Sequence, residues 1–165
     1  MPAFASLLKF TGVFSLGILS GVHLNFSTAT LDAILSLPSA GTAQRAFSIS
    51  LGKLRQIVRP LEVAATASLF TAFLFGGRRG RHGYLIFTGL MPVLGIALEK
   101  TRMVGVEVSV VNVQTRKKKG GESVDVNGEM VKGGMEAWRV WGLVRGGLVA
   151  FGFAMGVVGI WGDGA

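Results

Sequence analysis

Three side chains stand where chemistry would matter most: His23 and Asn25 in one apolar stretch, and Glu62 at the start of another. An imidazole and a carboxylate brought together away from water can exchange a proton or begin a metal site. An ionisable group held in hydrocarbon is a functional hypothesis by default. Two such groups fall short of the three or more ligands a metal centre takes. His23 and Glu62 also lie toward the same end of their stretches, so positioning at a membrane interface is the plainer reading. The sequence has no phosphate-binding loop, no nucleophile motif and no carboxylate pair, and it contains no Cys. Thiolate chemistry, disulfides and Cys-based metal sites are therefore excluded. The expectation is no catalytic residue, no cofactor and no metal.

Other patterns concern contact rather than reaction. Gly17 and Gly21 form a GxxxG pair, and Gly152 with Gly156 repeats the spacing, as does Gly142 with Gly146. Glycine lets two helix backbones approach closely, so these pairs predict helix packing, either within one bundle or in self-association. Arg78, Arg79 and Arg81 with His82, and the run Arg116, Lys117, Lys118, Lys119, are suited to anionic lipid headgroups or to setting topology. Asn25-Phe26-Ser27 matches the glycosylation sequon but lies too close to the apolar stretch to be read as a surface loop.

The elements that carry these residues are apolar blocks. The 165 residues are half apolar and only 16% charged, with a mean hydropathy of +0.53. A soluble domain of this length needs more charged surface than that. The net charge of +8 would suggest nucleic acid in a polar protein. Here the basic residues lie between and beside the apolar blocks, as in membrane proteins, and nucleic acid is excluded. The expected fold is all-α, one membrane domain over 1–165. It is a bundle of four transmembrane helices at about 10–31, 58–76, 83–98 and 143–161, with a polar loop at 99–139. The first block is too long for a secretory signal core and is read as an uncleaved anchor. An amphipathic helix over 43–58 is expected to lie in the membrane interface. Trp138, Trp141 and Trp161 flank the last span as an aromatic belt. The first and third loops hold 13 of the 17 basic residues, which assigns them to the cytosol by the positive-inside rule.

Read in order, several stretches resemble one family. They are Thr11-Gly12-Val13-Phe14-Ser15-Leu16-Gly17 with Gly21, Arg81-His82-Gly83-Tyr84-Leu85, Asp125-Val126-Asn127-Gly128-Glu129, and Phe153-Ala154-Met155-Gly156 running on to Gly159-Ile160-Trp161-Gly162-Asp163-Gly164. They are similar to autophagy-related protein 33, a fungal family of small mitochondrial outer-membrane proteins, with Gly83 where that family is expected to carry Pro. The resemblance implies a non-enzymatic role in selective autophagy of mitochondria (mitophagy), with the lipid bilayer and the autophagy machinery as partners. A receptor of that kind would carry an aromatic-x-x-aliphatic motif that adds a strand to a ubiquitin-like partner. The candidate, Trp141-Gly142-Leu143-Val144, enters the last span and lacks preceding acids. A second similarity, carried by Arg59-Pro60-Leu61-Glu62 and by Trp138 through Arg145, is to the membrane family that includes fungal anthrone oxygenases. It implies oxidation of an aromatic polyketide.

Overall fold

The computed structural model describes residues 2–77, 81–119 and 128–162, with 2, 3 and 112–119 in backbone only. Every element among the described residues is helical. Helix α1 (Pro2–Asn25) continues through a π turn at Phe26–Thr30 into the short α2 (Leu31–Leu35). Helix α3 (Ala40–Phe75) is a single rod, and α4 (Gly83–Leu98) runs through a second π turn, Glu99–Met103, into α5 (Val104–Lys119). Helix α6 (Gly128–Gly162) closes the bundle. The apolar stretches thus belong to four helical rods, each long and apolar enough to cross a membrane.

Local sequence explains the breaks. Pro38 cannot continue α2, and Ser39 takes an extended conformation to cap α3, its Oγ accepting from the Thr42 amide at 3.2 Å. After α3 the chain turns at Gly77, whose φ of +63° is left-handed and favours glycine. Pro60 and Pro92 remain inside α3 and α4, where packed neighbours tolerate the missing amide.

The rods outrun the bilayer. At ~1.5 Å per residue, the 36 residues of α3 and the 35 of α6 are each over 50 Å long, against ~30 Å of hydrocarbon. Two expectations are corrected here. The polar loop expected at 99–139 is helical at 99–119 and again from Gly128 onward. The helix expected to lie in the interface over 43–58 is the first half of α3 and is continuous with the second span. Both differences have one cause, because the inward positions of these stretches bury apolar side chains against each other. Val131, Met135 and Trp138 fall on one face of α6 at helical spacing and bury there with Phe47 and Val110. Phe26 and Phe47 meet the Trp138 ring edge-on, at centroid distances of 5.0 and 5.8 Å. Trp138 is therefore core rather than belt.

Nearer the termini, Leu16, Leu19, Ala65, Leu69 and Leu85 are buried between the rods. Phe14, Val63, Phe87 and Val158 point outward and are exposed. An apolar outer face of this extent fits lipid, not water, as its surroundings.

Candidate functional site

Inside the bundle, α3 presents Arg55, Arg59 and Glu62 at spacings of four and three residues, so the three side chains share one face. Glu99 heads the second π turn, Glu107 stands on α5 and Arg145 on α6, and all converge on that face. Arg145 bridges two acids: its Nη2 donates to Glu62 Oε1, and its Nη1 lies 2.7 Å from Glu99 Oε2. Arg59 repeats the bridge, with Nη1 3.0 Å from Glu62 Oε2 and Nη2 2.7 Å from Glu99 Oε1. Arg55 grips Glu107 with both terminal nitrogens, at 2.8 and 2.5 Å, and reaches Glu99 Oε1 at 3.3 Å. Three guanidinium groups face three carboxylates, so the cluster carries no net charge.

Burial makes this balance consequential. Glu62, Glu99 and Arg145 are only 3%, 4% and 4% exposed. An unpaired charge at such depth costs several kcal/mol, roughly 3–5 when one partner of a pair is removed. The forked guanidinium suits this setting, because it can serve two carboxylates at once in fixed geometry.

His23 adjoins the cluster from α1 and is 1% exposed. Neither of its ring nitrogens has a hydrogen-bond partner. An acid–base pairing of His23 with Glu62 is therefore not made, because Arg59 and Arg145 occupy both Glu62 oxygens. A cavity of about 10 Å³ lies between His23, Arg59, Glu99, Trp138 and Arg145, room for a single water. Asn25 is exposed at the end of α1. Among the described residues no group of three or more His, Cys, Asp or Glu could hold a metal ion.

The glycine pairs are placed as follows. A Cβ on Gly17 would sit 3.0 Å from the Phe153 ring, one on Gly152 2.9 Å from Met91 Cβ, and one on Gly156 2.5 Å from Val13 Cγ2. Gly21 has nothing within 4 Å. Gly142 leaves space for Ser27 and Trp138. Of the basic residues, Arg81 donates to the Leu74 carbonyl at 3.3 Å, at the end of α3. Arg78 and Arg79 lie outside the described residues, and Arg116, Lys117, Lys118 and Lys119 form the last turn of α5 in backbone only. Trp141 and Val144 sit within α6, half-buried and exposed respectively, with the Arg102 guanidinium 5.4 Å above the Trp141 ring. Their backbone is committed to helical hydrogen bonds and offers no strand edge.

Sequence context does not single out Glu99 and Arg145. Glu99 opens the expected polar loop and Arg145 falls at the start of the expected last span, each at the margin of an apolar run. The available signal was numerical: Glu62 and Glu99 are acids beside apolar blocks otherwise flanked by cations.

Comparison with known proteins decides the family. The chain is 34% identical to autophagy-related protein 33 of Gibberella zeae, over 97% of this chain and 92% of that one. It belongs to the autophagy-related protein 33 family. No protein-family model matches the chain. No solved structure matches it either. Covering nearly the whole chain, the similarity to the autophagy-related protein 33 of Gibberella zeae takes in all four long rods and the helices that carry the charge cluster.

Proposed function

We propose that this protein is a non-enzymatic, multi-pass protein of the mitochondrial outer membrane that promotes or regulates mitophagy. The observation that carries this reading is the whole-length similarity to a protein named for autophagy, joined to four apolar helices suited to a bilayer. The charge cluster is consistent with a structural role, since each acid in it is already engaged by guanidinium. Autophagy-machinery proteins would then be met by surfaces outside the bilayer rather than by the Trp141–Val144 segment, which is helical. Self-association through Gly17, Gly21, Gly152 and Gly156 is open at Gly21 alone, the other three being packed against neighbours in the same chain. Deleting the gene and following mitochondrial turnover in starvation or stationary phase tests the role. Slowed turnover, with tagged protein at the mitochondrial surface, is the expected result. Normal turnover with the protein in another membrane would overturn it.

The oxygenase reading draws on one observation, a buried His23 beside a polar cluster. Ligand sites of drug-sized molecules run to roughly 300–1,000 Å³, and the cavity at His23 is about 10 Å³. That reading predicts loss of a small-molecule oxidation in His23→Ala with protein level unchanged. Without such an activity to lose, it fails.

A further inference from the structure

Trp141 and Trp161 stand on one helix, twenty residues apart. That is about 30 Å along the axis, the thickness of a hydrocarbon layer. Each tryptophan marks a layer where aromatic rings meet cations. At the Trp161 end, the Tyr84 ring packs over Gly159, with Lys9 Nζ 6.0 Å and the His82 ring 6.0 Å from its centre. At the other, Arg102 covers Trp141 and Lys100 is exposed nearby. Such aromatic and cationic layers are what the two faces of a bilayer select.

The exposed side chains change in character at the same place. Between the layers most are apolar, among them Phe14, Val63, Phe87 and Val157, with Thr11 and Asn25 polar near the two ends. Among the described residues there, Arg55 and Arg59 are charged side chains with substantial exposure, 39% and 42%, both on the Trp141 side and long enough to reach toward that layer. Beyond Trp141 the surface carries the charged Asp32, Arg45, Glu129, Lys132 and Glu136 among the exposed apolar Leu37, Val108 and Met130.

The rods continue together past that layer. Phe47 is level with Trp138 through their rings. Gln44 donates to the Val110 carbonyl, and Gly134 makes room for the Val110 side chain, which puts residues 44, 110 and 134 on one level. A Cβ on Gly128 would lie 3.7 Å from Ala40 Cβ, so these two are level at the tip. Counted along α6, the tip is about 20 Å beyond Trp141.

We infer that one leaflet's phosphate layer crosses the molecule at Lys100, Arg102 and Trp141, and that α2, the first part of α3, α5 and the start of α6 stand outside it as a four-helix head. The partner at this girdle is anionic phospholipid. Counting Arg55, Arg59, Lys100, Arg102, Arg139 and Arg145 against Asp32, Glu62, Glu99 and Glu107, cations exceed acids by two. Arg55, Arg59, Arg139 and Arg145 are paired with those four acids, leaving Lys100 and Arg102 as the surplus. This inference rests on the membrane reading and is independent of any role in mitophagy.

The lack of native cysteine permits a direct test on the full chain. Single variants Ile49→Cys, Val108→Cys, Phe87→Cys and Val157→Cys, all at exposed positions, are labelled with a fluorophore in detergent. They are then reconstituted into vesicles of phosphatidylcholine and phosphatidylglycerol. Labels at 49 and 108 are expected to be quenched by iodide supplied on both sides and spared by nitroxide on the lipid chains. Labels at 87 and 157 are expected to show the reverse. Nitroxide quenching at 49 and 108 would overturn the head. For the girdle, the melting midpoint in neutral micelles is measured as phosphatidylglycerol is added. The parent chain is expected to gain stability and the Lys100→Gln/Arg102→Gln variant to lose most of that gain. An equal gain in both would overturn the lipid contact.

Discussion

At the scale of single residues, the cluster behaves as one object. Glu62 contacts both Arg59 and Arg145, and Glu99 contacts Arg55, Arg59 and Arg145. Glu62→Gln leaves Arg145 with one carboxylate in a buried setting and is expected to destabilise the fold by about 3 kcal/mol. Arg145→Met is expected to cost a similar amount. The double variant should lose clearly less than the sum, because removing both members leaves no orphaned charge. Unfolding in mixed micelles measures the cycle, and strict additivity would show that the pair is not coupled. His23 differs from these residues, being buried with two unpartnered nitrogens. Replacing it with Leu is expected to raise stability by about 1 kcal/mol, since an unsatisfied polar group is penalised. A fall of the same size would reveal a hydrogen bond made through water in the small cavity. The sequence marks His23 and Glu62 as notable because uncharged residues surround them. It does not reveal that Arg145 and Glu99 are their neighbours, since that depends on the registry of α4 and α6 across the bundle.

At the scale of helices, the glycines separate by what faces them. Gly156 approaches Val13 so closely that a methyl group would have to displace it. Gly156→Ala is therefore expected to destabilise by about 1–3 kcal/mol through overpacking. Gly21 faces open space, so Gly21→Ala is expected to stabilise by about 0.5–1 kcal/mol through helix propensity. Thermal melts of the two variants in the same detergent give opposite signs if the packing is as described. The GxxxG spacing makes no distinction between these positions, since spacing alone cannot say which face a neighbour occupies. Four apolar rods were legible from block length and the flanking cations. The helical character of 104–119 and 128–139 was not. In 128–139 charges recur often enough to hide the buried positions Val131, Met135 and Trp138, and in 104–119 the apolar run around Val110 is short and ends in four consecutive cations.

At the scale of the whole molecule, two packed zones share the same rods: an apolar zone around Leu16, Leu69 and Leu85, and an aromatic zone around Phe26, Phe47 and Trp138. The charge cluster lies between them. Phe47→Ala removes one wall of the aromatic zone and is expected to cost about 3–5 kcal/mol. Its effect should fall on the projecting part, so limited proteolysis in vesicles should cut the variant within 31–54 or 104–138 while fragments from the apolar zone stay intact. Cleavage spread evenly along the chain would argue that the zones fold as one.

Helices α3 and α6 run from the tip to the opposite end of the bundle without a break. Stiff rods of this kind convert a sideways pull at one end into a tilt at the other, with little slack to absorb it. A sideways displacement of the tip is therefore expected to tilt the opposite ends of both helices together.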